Sequence, residues 1–251
     1  MVQLALEVKH LVKKYGERIA VNDLSFTVKK GEFFGFLGPN GAGKTSTINA
    51  IVGIGNFQAG EIKILGHDVI REYREARRKI GISPQEFNTD LFATPRKILD
   101  FVGGYFGMRK AEREAQIEYL LTRLGLAPYQ DISFRALSGG FKRRMMLARA
   151  MMHNPEILIL DEPTAGVDVE LRYELWRLLA ELNQNGKTIF LTTHYLEEAQ
   201  RLCKRIGIIF NGKLVQLESK EELIKDGSSI EDHYLRHAEL QRENNVIYVP
   251  G

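Results

Sequence analysis

The segment Gly38-Pro39-Asn40-Gly41-Ala42-Gly43-Lys44-Thr45 constrains this chain more than any other. Two glycines with four residues between them, followed by Lys and Thr, fit the P-loop pattern. Small residues let consecutive backbone N–H groups converge on phosphate oxygens at a helix N-terminus. Lys44 then neutralises the β and γ phosphates, and the Thr45 hydroxyl is a ligand for Mg²⁺. At average composition the bare pattern arises by chance in roughly one chain of this length in a hundred. Its context sharpens it, because the apolar run Phe33-Phe34-Gly35-Phe36-Leu37 reads as a strand before it and a polar segment from Thr45 begins a helix after it. Strand, glycine loop and helix in that order predict an α/β nucleotide-binding core.

The remainder of the chain agrees with that core. The first thirty residues read as β structure: Leu4 to Lys9, a turn over Lys13-Lys14-Tyr15-Gly16-Glu17, then alternating Leu24, Phe26 and Val28. An antiparallel N-terminal β subdomain is expected, with a further strand from Glu61 to Leu65. From Glu86 to Leu137 the period turns helical, with Ile98, Phe101, Val102 and Tyr105 forming one stripe and Ile117, Leu120, Leu121 and Leu124 another. This stretch reads as a helical insertion. Beyond it helices and short apolar strands alternate through Ile157–Leu160, Thr188–Thr192 and Arg205–Phe210, which argues for a mostly parallel sheet with covering helices. Lone Trp176, beside the leucine stripe of the helix over 169–182, reads as packing. Asn211-Gly212 makes a hairpin turn. The expected division is one main unit over 1–215 and a short C-terminal appendage over 216–251. Within the main unit, the β subdomain and P-loop core occupy about 1–85, the helical insertion about 86–137, and the helix after Ser138 with the rest of the core about 138–215.

Composition removes several classes. With 35 Lys+Arg against 32 Asp+Glu the net charge is +3, too small for nucleic-acid binding by bulk electrostatics, so no nucleic-acid partner is expected. Hydrophobic residues at 44% and charged residues at 27% suit a packed globular chain, not a disordered one. The single cysteine, Cys203, has no metal-ligand spacing around it and reads as a buried structural thiol in a reducing cytosol. No apolar stretch reaches the roughly 18 to 20 residues needed to span a bilayer, and the start lacks the basic and apolar regions of a signal peptide, so a cytoplasmic chain is expected.

Other residue groups point towards chemistry with less force when taken alone. Ile157-Leu158-Ile159-Leu160 delivers Asp161 and Glu162 at a strand's carboxyl end, where open α/β sheets bind ligands; paired carboxylates there also serve as helix caps. His194 ends another strand, and either a structural hydrogen bond or the orientation of a water beside Glu162 suits it. Gln85 lies at a strand-to-helix junction, as a loop residue or a ligand. Tyr15 either packs in its hairpin or stacks on a base. Ser138-Gly139-Gly140 opens a helix as a plain cap or as a second anion cradle, and Lys142-Arg143-Arg144 beside it is most simply a solvated helix face.

Taken together, the P-loop, Gln85, Leu137-Ser138-Gly139-Gly140, Ile157 to Glu162, Ala165-Gly166-Val167-Asp168 and His194 resemble the nucleotide-binding subunit of an ATP-binding cassette (ABC) transporter over about residues 5–215. The resemblance implies an ATPase that uses Mg²⁺. Tyr15 matches the aromatic that stacks on adenine, and the loop from Gly38 to Thr45 with Ser46 matches the ATP cradle. Thr45, Gln85 and Asp161 match the metal-site residues, Gln85 also facing the membrane subunit. Glu162 matches the general base, Asp168 the D-loop aspartate and His194 the switch histidine. Ser138, Gly139 and Gly140 match the signature loop that contacts ATP held by an opposite cassette, so the resemblance implies a head-to-tail dimer, identical or paralogous. Phe141 departs from the family's usual Gln, and altered nucleotide affinity or helix packing is expected from it.

Within the family, Asp161 to Asp168, Thr193 to Ala199 and the late Ser229 to Leu235 are similar to the ATPases of ABC-2 type exporters. The tail after 215 lacks the length of the regulatory domains on sugar-importer ATPases. These cues imply a subunit that powers export through separate polytopic permease subunits, lying on the cytoplasmic face of the membrane through them. An importer ATPase is the nearest alternative. A soluble ABC protein acting on ribosomes or DNA, or an ATP-binding regulator without hydrolysis, fits less well.

Overall fold

The computed structural model describes residues 3–225 and 227–246, with side chains through residue 241. Residues 1–2, 226 and 247–251, including the end of the expected appendage, lie outside the described residues.

Two sheets share the architecture. The first is antiparallel, with β1 (Leu4–Tyr15), β2 (Arg18–Lys29), β4 (Ala59–Ile64) and β5 (His67–Asp68) in the order β2-β1-β4-β5. The second holds β3 (Phe33–Leu37), β6 (Ile80–Ser83), β7 (Ile157–Asp161), β8 (Thr188–Thr193), β9 (Arg205–Phe210) and β10 (Lys213–Ser219) in the order β10-β9-β3-β8-β7-β6. All its pairings are parallel except β9 with β10. The α/β class with an antiparallel N-terminal sheet is therefore observed. β3, β7 and β8 are buried along their whole length, as strands covered on both faces must be, and this explains their unbroken apolar sequences.

One core lies between the sheets, where the rings of Phe26, Phe34 and Phe190 stack at 5.6 to 5.8 Å between centroids. The helix after the P-loop, α1 (Lys44–Ile51), packs into it through Ile48, Ala50 and Ile51. The opposite face is covered by α3 (Pro95–Tyr105), α4 (Lys110–Arg123), α5 (Gly139–Met151), α6 (Val169–Gln184) and α7 (Leu196–Leu202), following a short charged α2 (Tyr73–Lys79). Cys203 is 1% exposed in this core, and burial pushes its thiol well up.

Several expectations need correction. β1 continues through Tyr15 and pairs it with Arg18, so the first turn is only Gly16-Glu17. In 86–137 regular helix begins only at Pro95, capped by Thr94, and 3₁₀ turns at Ala127–Tyr129 and Phe134–Ala136 close the segment. The stripe on α3 is rotated: Ile98, Leu99 and Gly103 are buried, whereas Phe101 is 76% and Tyr105 75% exposed. Gly103 sets this rotation, because a Cβ there would sit 2.6 Å or less from the Arg113 stem. The expected boundary at 215 falls inside β10. Past it, α8 (Lys220–Leu223) and α9 (Ile230–Val246) place Leu223 and Ile230 in the main core and Tyr234 against Phe210.

The Asn211-Gly212 turn has φ of +47° and +76°, the type I′ pattern that joins twisted antiparallel strands. Gly212 also approaches other backbone closely. Its N–H donates to Ala42 O at 2.8 Å, its carbonyl accepts from Asn22 N at 2.9 Å, and a Cβ would lie 2.7 Å from Ala20 O. The last hairpin thus buttresses the back of the P-loop.

Candidate functional site

The carboxyl ends of β3, β6, β7 and β8 converge on one cleft, as open parallel sheets place their ligand crevice. β3 runs into the loop from Gly38 to Gly43, whose glycines are obligatory for two different reasons. Gly43 has φ +109° beside Ala20 O, and a Cβ on Gly38 would lie 2.4 Å from Ile209 O. α1 then starts at Lys44, so its unpaired N–H groups face the cleft.

Lys44 is 5% exposed, and its Nζ donates to Gly38 O at 2.7 Å and Pro39 O at 3.2 Å. The same Nζ lies 3.1 Å from Glu162 Oε1. Glu162, itself 5% exposed, also accepts from Gln85 Nε2 at 3.1 Å on Oε2, and His194 Nδ1 stands 3.1 Å from that oxygen. His194 Nδ1 nonetheless lacks hydrogen-bond geometry to any partner. Glu162 has φ +48°, a left-handed conformation costly for a side-chain-bearing residue, held by its N–H donating to Thr192 O at 3.1 Å and Thr192 Oγ1 at 3.2 Å.

Asp161 closes β7 at 2% exposure. Its Oδ2 accepts from Thr45 Oγ1 at 3.0 Å, and Oδ1 accepts from Thr192 Oγ1. Burial raises the Asp161 carboxyl above its ordinary range, against the pull of the Thr192 and Thr45 hydroxyls; the Glu162 charge adds to the rise and Lys44 opposes it. A cation beside Thr45 Oγ1 and Asp161 Oδ2 would oppose this shift, since a nearby positive charge favours the ionised carboxylate. Among the described residues no cluster of three or more His, Cys, Asp or Glu could hold a metal ion. One hydroxyl and one carboxylate suit a hard ion that keeps most of its ligands as water and phosphate oxygens.

A cleft of about 340 Å³ is bounded by Tyr15, Asn40, Lys44, Thr45, Gln85 and Glu162, with Ser46 also on its wall. Tyr15 is 50% exposed, with Lys13 Nζ 4.6 Å from its ring centroid. Two wall residues were not singled out in the sequence, Arg18 and Ala20. The signal that could have found Arg18 is the hairpin register, which sets it opposite Tyr15.

The other expected site residues stand apart from this cleft. Ser138 is the N-cap of α5 and accepts from Phe141 N at 3.5 Å. Gly139 has open space where a Cβ would be, while at Gly140 a Cβ would strike Leu171 Cδ2 at 1.7 Å, so the glycine lets α5 meet α6. Asp168 caps α6 by accepting from Leu171 N at 3.0 Å. The Phe141 ring packs on Tyr129 at 4.1 Å, a core contact in place of hydrogen bonds.

Behind the site lies a group that sequence patterning did not mark. Glu198, fully buried on α7, accepts from Thr164 Oγ1 at 2.8 Å and Trp176 Nε1 at 2.9 Å, so Trp176 is a hydrogen-bond donor as well as packing. Burial raises its carboxyl, opposed by hydrogen bonding from Thr193, Trp176 and Thr164.

Comparison with known proteins gives four findings that agree with this geometry. A family model described as ABC transporter matches residues 21–165. The chain is 44% identical over 224 residues to the Nod factor export ATP-binding protein I of Paraburkholderia xenovorans (strain LB400), covering 89% of this chain and 74% of the relative. It aligns with an ATP-binding subunit of an ABC transporter at TM-score 0.84 and 28% identity, over 92% of this chain and 98% of the other. A dimeric post-hydrolysis ATP-binding cassette bound to ADP and Pi aligns at TM-score 0.78 and 28% identity, over 85% of this chain and 98% of the other.

Proposed function

The chain belongs to the ABC transporter family, and on that premise we propose that it is the ATP-hydrolysing subunit of an exporter, working with separate membrane permease subunits. The observation that carries this reading is the Glu162 carboxylate, met by Lys44, Gln85 and His194 at 3.1 Å each beside the P-loop. The export function named for the Paraburkholderia xenovorans relative supports the direction of transport.

In this reading adenine stacks on Tyr15, and the backbone N–H groups of the loop from Gly38 to Ser46 surround the phosphates. Lys44 leaves Glu162 for the β and γ phosphates, which frees the carboxylate to accept a proton from the attacking water. His194 and Gln85 hold that water and the γ phosphate in line. Thr45, Asp161 and Gln85 would hold Mg²⁺, whose chemistry is to neutralise charge developing on the phosphates. Ser138, Gly139, Gly140 and Asp168 lie outside the P-loop cleft, as expected of residues that complete the ATP site of an opposite cassette. Two copies, or this chain with a paralogue, would close head to tail around two nucleotides. ATP does work only through tighter binding to the closed state.

The permease would dock where α2 and α3 border a groove of about 660 Å³, lined by Ile54, Arg74, Arg77, Arg78 and Tyr105. Among the described residues no helix is long and apolar enough to cross a membrane. Attachment to the cytoplasmic face through the permease follows from this reading. The division into a cassette over 1–215 and an appendage is part of this reading as well, with β10 spanning the division and the appendage packed on the cassette's own core through Leu223 and Ile230.

Glu162→Gln tests the assignment. The amide keeps the shape but accepts no proton, so turnover should fall at least about 100-fold while ATP binding persists and a dimer accumulates. Wild-type turnover by this variant in its full assembly would remove Glu162 as the base.

A further inference from the structure

Arg143 looks in sequence like part of a solvated Lys-Arg-Arg face, yet it is 8% exposed. Its hydrogen bonds go to backbone carbonyls: Nη1 donates to Gln85 O at 2.7 Å and Pro84 O at 3.3 Å, and Nη2 to Ala165 O at 3.5 Å. The Phe87 ring lies 4.8 Å from its Cζ, and Nε has no partner. Burial lowers its pKa, and the charges of Glu162 and Asp161 oppose that.

The two segments it grips both act on Glu162. Gln85, whose carbonyl it holds, donates its side-chain amide to Glu162 Oε2 at 3.1 Å. Ala165, whose carbonyl it also holds, closes a turn by donating its N–H to Glu162 O at 3.1 Å. Glu162 sits in a left-handed conformation that persists only where the surroundings determine it. A planar guanidinium can reach two loops at once with fixed angles; an ammonium is a point charge and cannot. Arg143 also shares the rigid helix α5 with its N-cap Ser138, so the two move together.

We propose that Arg143 is a positioning residue for hydrolysis, transmitting the tilt of α5 to the Glu162 carboxylate through Gln85 and Ala165. The proposal rests on Glu162 acting as the base. When an opposite cassette's ATP engages Ser138, the same helix movement sets Gln85 and Glu162 in this chain's own site. Each site then reports its occupancy to the other through one buried side chain.

The test compares Arg143→Ala, Arg143→Lys, Phe87→Leu and Glu162→Gln in the full assembly, measuring kcat, KM for ATP and melting temperature. Arg143→Ala should lower kcat about 10- to 100-fold with KM for ATP within about twofold, since misplacement by about 1 Å costs that much without touching the ATP cradle. Arg143→Lys should recover only part of the loss, because the fork is missing. Phe87→Leu, which removes the ring beside the guanidinium, should lower kcat by a few-fold in the same direction. Unchanged kcat in both Arg143→Lys and Phe87→Leu overturns the proposal even if Arg143→Ala does not fold. A rise of KM in step with the fall of kcat overturns it too. Loss of turnover in Glu162→Gln with full turnover in Arg143→Ala sinks this inference alone, whereas full turnover in Glu162→Gln sinks the reading beneath it.

Discussion

At the carboxyl ends of β3, β7 and β8 the charged groups meet partners supplied by the same chain, whereas along α3 the largest apolar side chains are turned outward. Lys44, Glu162 and Asp161 are 5% exposed or less and each has a close polar neighbour; Phe101 and Tyr105 are 75% exposed or more. Ordinarily the two kinds of residue occupy the opposite places, since charge prefers water and large apolar surface avoids it. Under the proposed function the inversion separates two jobs. Buried charge would prepare phosphate chemistry in advance, and the outward aromatic surface would meet the permease.

The sharpest way to break the contrast is at Lys44. Lys44→Ala leaves a buried carboxylate at Glu162 without its cation and the phosphates without a counter-charge, so kcat/KM for ATP should drop about 100- to 1000-fold. A value within tenfold of wild type would show that the cradle does not depend on that cation. Next in size, Glu198→Ala strands Trp176 Nε1 and the Thr164 hydroxyl in the core, for a loss of about 2–4 kcal/mol in a urea titration. Glu198→Gln keeps an acceptor and should lose less than half of that.

His153 lies beneath the α3 face, stacked on Phe106 at 3.7 Å, with Nε2–H donating to Ile80 O at 2.9 Å. Burial lowers its pKa from 6.5 to about 4. The unfolded chain therefore binds a proton that the folded chain refuses between those values. The stabilisation is complete above pH about 6.5 and is lost as pH falls towards about 4, about 3 kcal/mol in all. His153→Gln should flatten the pH dependence of the urea midpoint over that window, and an unaltered slope would rule this group out. The smallest effect on stability is expected for Phe101→Ser with Tyr105→Ser, within about 0.5 kcal/mol because both rings face solvent. Under the permease-docking proposal the same pair should lose co-purification with the membrane subunit; a large loss of stability instead would make this face part of the core.

The same contrast explains what could be foreseen. β3, β7 and β8 were legible because a strand buried on both faces has an unbroken apolar sequence, and the P-loop because phosphate binding restricts residue type at each step. Asn211-Gly212 was legible because few residue pairs accept two positive φ angles. The α3 stripe departs from its spacing because helical spacing gives the period of a face and not what lies against it, and Gly103 rather than a large residue determines the close contact with α4. Arg143 and Glu198 left no periodic signal. Their partners are single atoms 22 to 59 residues away, brought near only when the strands are in order.

That order has a consequence in time. β3 is flanked by β8 and β9, and Gly212 holds the P-loop from behind, so a motif made near the start of the chain gains its neighbours near the end. At about 5–20 residues per second, the roughly 170 residues between Thr45 and Gly212 take about 10–30 s to synthesise. For most of that interval, until β8 is made at 188–193, Phe33 to Leu37 has neither of its sheet neighbours. Truncation before Gly212 should therefore leave the ATP cradle unformed even though every residue of its motif is present, and the emerging chain exposes its stickiest segment for most of its own birth.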